Sequence, residues 1–117
     1  MSVDYWALGV LIYEMAGGVC PFIADDQIKT CQRILSGKFH IPAHYGPNLS
    51  QIIKEFLQKD PKKRLGKDND HHIAVKTHPW FEGFNWHGLS RKKLKAPYKP
   101  NCAIENQRLK VSCYNVF

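Results

Sequence analysis

From Val3 to Met15 the chain reads Val-Asp-Tyr-Trp-Ala-Leu-Gly-Val-Leu-Ile-Tyr-Glu-Met, a run in which apolar residues are interrupted by only two acids. Wound as a helix it presents apolar side chains on every face, and such a helix has to be enclosed all round. The chain has 117 residues, enough for one domain at most. Chains of this size bury only about two thirds of the surface that they expose when unfolded. The sequence therefore predicts a core helix whose enclosure is incomplete, and with it an exposed apolar patch and low stability. The same run falls short of the roughly 20 apolar residues that cross a bilayer. No basic segment precedes it, as a signal peptide would require, so neither a membrane span nor a secretory leader is expected.

Gly17-Gly18 closes the first helix, and a loop follows through Cys20-Pro21-Phe22. Asp25 or Asp26 can cap a short second helix that carries Ile28, Cys31, Ile34 and Leu35 along one face and stops at Gly37. A polar loop with His40, Pro42, His44 and Pro47 comes next. The third helix has the clearest period, with Leu49, Ile52, Ile53, Phe56 and Leu57 on one face and Asn48 and Gln51 at capping-box spacing. It is expected to end near Asp60, because Pro61 follows. Asp70 can cap a fourth helix through Ile73 and Val75, halted by Pro79. Trp80, Phe81, Phe84 and Trp86 then read as an irregular segment pinned onto the helices by its aromatics. No alternating run long enough for a strand occurs, and the expected class is mainly α.

Charge is uneven. Residues 1–60 hold five Lys/Arg and six Asp/Glu, whereas residues 61–117 hold twelve and four, so the formal net charge of +7 is C-terminal in origin. Such a surplus serves nucleic acid, an anionic membrane face, an acidic partner or plain solubility. No known nucleic-acid reading pattern is interleaved with it, and no nucleic-acid partner is expected. Cys20, Cys31, Cys102 and Cys113 form no C-x-x-C pair, which favours a reducing compartment, cytoplasmic or nuclear. His71 and His72 lack companions at zinc-ligand spacing, so no metal site is expected.

Four ordered motifs carry a family resemblance: Asp4-Tyr5-Trp6-Ala7-Leu8-Gly9-Val10 followed by Tyr13-Glu14; Pro21-Phe22; Asp60-Pro61-Lys62-Lys63-Arg64-Leu65-Gly66; and His78-Pro79-Trp80-Phe81. Together they resemble a eukaryotic protein kinase of the AGC group. Trp80-Phe81-Glu82-Gly83-Phe84-Asn85-Trp86 and Arg91-Lys92-Lys93-Leu94-Lys95-Ala96-Pro97 are similar to the cAMP- and cGMP-dependent serine/threonine branch. The resemblance runs from residue 2 to about residue 100, and the sequence diverges after about 101. It implies the C-terminal half of a kinase large lobe over residues 1–89 and an AGC-type C-terminal extension over 90–117. The Gly-rich phosphate loop, the strand-borne Lys, H-R-D, D-F-G and A-P-E are absent from these 117 residues.

The resemblance also implies roles. Asp4 matches the acid that accepts hydrogen bonds from the catalytic-loop backbone, and Trp6 accompanies it in support of that loop and of the activation segment; by local chemistry alone, Asp4 is a helix N-terminal acid that favours the macrodipole. Glu14 matches the acid that grips an arginine upstream of the phosphorylated residue, where the plain alternative is a surface glutamate. Val19 and Cys20 stand where the family commonly has an aromatic and a second proline. Arg64 matches the arginine paired with the A-P-E glutamate; without that partner, an exposed arginine in the basic loop Lys62, Lys63, Arg64, Lys67 is the alternative. The expected function is that of part of a serine/threonine kinase acting on basic protein substrates, with a regulatory subunit as a further partner. ATP and magnesium belong to the complete parent, no cofactor or catalytic residue is expected within this chain, and alone it is expected to be inactive. The alternative is a non-catalytic kinase-like module that binds substrates or a regulatory subunit.

Overall fold

The apolar run winds into α1, Ser2–Gly17, in a computed structural model that describes residues 2–67 and 71–99. Four further helices follow: α2 (Gln27–Ser36), α3 (Pro47–Phe56), α4 (His71–Lys76) and α5 (Trp86–Ser90), with a 3₁₀ turn at Pro79–Phe81. The described residues contain no strand, and the class is mainly α. They fall into two compact units divided between Trp86 and His87.

The core of the first unit is the contact of α1 with α3. Gly9 makes it close: a β-carbon there would lie 2.7 Å from Phe56 Cβ and 3.0 Å from Leu57 Cδ2. Tyr5 stacks on Phe56 with ring centroids 5.8 Å apart. Ile52, Ile53 and Phe56 of α3 are fully buried, and Ile12, Tyr13, Phe22, Tyr45, Leu57 and Val75 close around them. The shortfall of cover expected for α1 falls on one stripe. Val3, Ala7, Leu11 and Met15, spaced by four residues, are exposed, with Val3 at 73% and Met15 at 69%.

Asp26 caps α2, its Oδ1 accepting the Lys29 amide at 2.7 Å, and Gly37 ends it in the left-handed region at φ 68°. The apolar period of α2 predicts a buried face, yet no residue of this helix is buried, and Ile28 and Leu35 are mostly exposed. Polar ties attach it instead. Arg33 Nη1 donates to Ile23 O, and Thr30 Oγ1 accepts the Ala24 amide at 3.2 Å.

The capping box expected at Asn48 and Gln51 is absent. Gly46 is the cap residue and Pro47 occupies the first turn, where its fixed φ suits a helix and its missing N–H costs nothing. Asn48 thus lies inside the helix and donates through Nδ2 to Pro79 O at 3.4 Å, while Gln51 Nε2 donates to Glu55 Oε1 at 2.8 Å. The helix also stops earlier than Pro61 requires, at Phe56, with Leu57 as its cap. The chain then turns back: Asp60 Oδ1 accepts the Lys62 amide and the Leu65 amide donates to Glu55 O. Asp70, expected to cap α4, lies outside the described residues.

The aromatic segment is only partly irregular. His78 Nδ1 accepts the Trp80 amide at 3.0 Å and starts the 3₁₀ turn, and Trp86 opens α5. Trp80 and Phe81 pack against the core, whereas Phe84 and Trp86 meet edge to face, their centroids 4.7 Å apart and their planes at 67°. Trp86 Nε1 donates to Lys76 O at 3.2 Å.

Replacing Gly9 with Ala drives a methyl group into Phe56. Overpacking of this kind costs about 1–3 kcal/mol. A fall in the urea midpoint of the Gly9→Ala protein is the expected result, and an unchanged midpoint would show that α1 and α3 do not approach at this point.

Candidate functional site

Trp6 and Arg64 come from distant parts of the sequence and meet in the fold. The Trp6 ring stacks on Phe22, with centroids 5.4 Å apart and planes at 8°, and the Arg64 guanidinium carbon lies 5.0 Å from the Trp6 centroid. Arg64 is only 7% exposed, so the exposed-arginine alternative does not hold. Its Nε and Nη2 donate to Gln58 O at 3.0 and 2.8 Å, and Nη2 also reaches Lys59 O at 3.4 Å. A buried cation is costly unless its donors are satisfied and its charge is offset. Here backbone carbonyls and an aromatic face do both. Burial pulls the guanidinium below its usual range, and the nearby Asp60 carboxylate opposes that shift. The arginine thereby holds the turn between α3 and the Asp60–Gly66 loop in one conformation.

Asp4 and Glu14 are both exposed and stand at opposite ends of α1. Asp4 occupies the first turn, where a carboxylate faces the positive end of the helix dipole. Glu14 lies near the other end, where the dipole disfavours an acid and no basic residue of the last turn offsets it. Its backbone O accepts the Gly18 amide at 2.7 Å, but its side chain is not placed there by helix stability.

Beside the end of α1 opens a cleft of about 490 Å³, lined by Tyr13, Val19, Cys20, Pro21, Ile23, Arg33, Lys38, Phe39 and His40. Val19 and Cys20, which stand where the resembled family commonly has an aromatic and a proline, thus line this cleft. Sequence reasoning gives Tyr13 no role of its own, yet it organises this corner: its hydroxyl donates to His40 O at 2.9 Å, and Tyr45 donates to Tyr13 O at 3.2 Å. Burial, then Tyr45, then Cys20 raise the Tyr13 phenol above its ordinary value of 10.0. His78 likewise carries no role beyond its place in the His-Pro-Trp-Phe motif. It is buried, and its Nε2 faces Glu55 Oε2 at 3.7 Å. A histidine one residue before a helix-starting proline is the sequence signal that could have marked it as a cap.

Among the described residues no group of three or more His, Cys, Asp or Glu side chains could hold a metal ion, and no helix is long and apolar enough to cross a membrane.

The profile of the family described as protein kinase domain matches residues 1–81. Cyclic-AMP-dependent protein kinase catalytic subunit 2 of Drosophila melanogaster is 38% identical over 101 residues, covering 85% of this chain and 28% of the relative. The cAMP-dependent protein kinase catalytic subunit PRKX of Homo sapiens is 39% identical over 102 residues, 87% of this chain and 28% of its own length. The cAMP-dependent protein kinase type 3 of Saccharomyces cerevisiae is 36% identical, with 85% and 25% covered. The chain thus spans about a quarter of the length of these relatives.

Lysine in place of Arg64 keeps the charge but cannot donate twice to Gln58 O while lying flat on Trp6. A loss of about 1.5–3 kcal/mol is expected, the range for hydrogen bonds of a charged group, read as a lower denaturation midpoint. Tyr13 predicts a pH effect with a defined sign. Above pH 10.0 the unfolded chain releases a phenolic proton that the folded chain retains, so stability falls as pH rises through that value. Tyr13→Phe should lessen that alkaline loss; an identical alkaline profile would remove Tyr13 as its source.

Proposed function

The chain belongs to the protein kinase family, as an AGC-type, cAMP-dependent-kinase-like C-terminal part, and from this we propose that it is the lower large lobe of a serine/threonine kinase acting on basic protein substrates. The observation that carries the reading is the kinase match over residues 1–81 on a set of helices in which Arg64 is buried against Trp6. In this reading residues 1–89 are the partial kinase domain and 90–117 its C-terminal extension.

Asp4 and Trp6 support the catalytic loop of the complete enzyme, and Arg64 supports its activation segment. Arg64 does so from a position already fixed by the carbonyls of Gln58 and Lys59. Glu14 reads substrate. An exposed carboxylate on a rigid helix, at an end where the dipole disfavours it, is available to form a charge-assisted pair with a substrate arginine. Two relatives are named as catalytic subunits, and a regulatory subunit is accordingly among the proposed partners. The proposed compartment is the cytoplasm, with the nucleus as a second site.

ATP and magnesium would be held in the complete enzyme by residues outside these 117. The donor set here does not fit them: the described residues hold no metal-binding group of three, and the phosphate-loop and metal-site motifs do not occur in these 117 residues. No catalytic step is therefore assigned to this chain. The exposed apolar face of α2, with Ile28 and Leu35, favours one second reading, a non-catalytic module that holds substrates or a regulatory subunit.

The purified 117-residue chain should incorporate no phosphate into a basic peptide, and incorporation that survives removal of contaminating kinases would overturn the assignment. In the complete kinase, Glu14→Gln should lower kcat/KM about tenfold or more for peptides with an upstream Arg, from the loss of a charged hydrogen bond of about 1.5–3 kcal/mol. Peptides without that Arg should be little affected. Equal losses on both peptide classes would make Glu14 a structural residue.

A further inference from the structure

Between Glu82 and Glu105 the sequence contains no acid, while Arg91, Lys92, Lys93, Lys95 and Lys99 fall within that interval. Residues 91–99 are all exposed. Interleaved with the cations are three exposed apolar side chains: Leu89 at 49%, Leu94 at 39% and Tyr98 at 77%. Solubility explains the cations but not these apolar neighbours, which plain solvent disfavours.

The backbone adds an independent observation. Lys92 is the only non-glycine described residue with positive φ, at 56°. Its amide donates to Leu89 O at 2.9 Å and the Lys93 amide to Gly88 O at 2.9 Å, the paired bonds that close a helix at a left-handed residue. Glycine meets that requirement without strain, whereas a side chain with a β-carbon is strained there. A lysine at this position keeps a third consecutive cation on the turn, between Arg91 and Lys93.

We propose that the segment 89–99 docks on an anionic lipid surface, its lysines and Arg91 facing phospholipid headgroups while Leu89, Leu94 and Tyr98 enter the interfacial layer. Charge complementarity selects the occupant. A cluster of four to eight basic residues is attracted to anionic headgroups, and apolar and aromatic side chains beside it gain from the headgroup boundary. Nucleic acid would use the cations, but single strands are held by stacking on successive aromatics, and Tyr98 is the one aromatic in 89–99. The proposal does not depend on the kinase activity of any longer protein.

The test is co-sedimentation of the full 117-residue chain with vesicles of phosphatidylcholine alone and of phosphatidylcholine with phosphatidylserine, across a salt titration. Binding is expected to the phosphatidylserine vesicles only, weakening as salt rises. The variant Arg91→Gln/Lys93→Gln/Lys95→Gln should bind these vesicles about 100-fold more weakly, at about fivefold per cation. It leaves the Lys92 turn and the apolar stripe of α1 unchanged, so non-specific adsorption through α1 would give equal binding of wild type and variant and would overturn the proposal. Leu94→Ser/Tyr98→Ser should keep the preference for phosphatidylserine but lose binding at a lower salt concentration. A duplex or single-stranded oligonucleotide bound through the same cations, with no vesicle binding, would assign the segment to nucleic acid instead. The salt titration on the wild-type chain remains decisive even if a variant misfolds, because binding insensitive to salt also overturns the proposal.

Discussion

At Gly9 the backbone of α1 lies against Phe56, close enough that no other residue fits there without displacing one helix from the other. That approach lets Tyr5 lie flat on the Phe56 ring and brings Ile12 and Tyr13 into the core formed by Ile52 and Ile53. A fully buried aliphatic or aromatic side chain contributes about 1.5–3 kcal/mol, so the few residues at this crossing dominate the stability of the first unit. Tyr13 then carries the packing outward through His40 O, and Tyr45 returns a bond to Tyr13 O.

The same crossing sets the geometry of the candidate site. Trp6 lies one residue beyond Tyr5 on α1, and Arg64 lies in the loop that leaves α3, so docking the two helices places the guanidinium over the indole. The carbonyls of Gln58 and Lys59 then hold it. Glu14, at the far end of the same helix, inherits a rigid base from the core while its own side chain stays in solvent. That rigid base is what the proposed substrate-reading role of Glu14 would draw on, because less freedom is then lost on pairing.

Features whose chemistry is local were legible in the sequence. Asp26 at the start of α2 and Gly37 at its end act through their own and neighbouring backbone groups, and both occur where the residue types indicate. The face of α3 was legible because its period is long and regular. Where two local signals competed, the stiffer one prevailed: Pro47 fixes the first turn of α3, and the Asn48–Gln51 pairing never forms. The apolar period of α2 misled because periodicity shows that a helix has an apolar face without showing what covers it. The partners of Arg64 were illegible for another reason. They are backbone carbonyls, which every residue possesses, so no side-chain pattern could announce them. The resemblance pairs Arg64 with a glutamate that these 117 residues do not contain, while the structure buries it against Trp6 and backbone carbonyls.

Apolar on every side, α1 is covered round most of its circumference and left open along the one stripe that carries Leu11. Unfolding of two single variants tests it, because Leu11 and Ile12 are neighbours on the helix with opposite surroundings, 49% and 3% exposed. Leu11→Gln should change stability by no more than about 0.5 kcal/mol, as for a surface substitution, and should reduce the binding of a dye specific for exposed apolar surface. Ile12→Gln should cost about 3 kcal/mol or more, since it empties part of the core and buries an amide without a partner. If the two variants lose the same stability and dye binding is unchanged, Leu11 is covered as Ile12 is, and the open stripe on α1 does not exist.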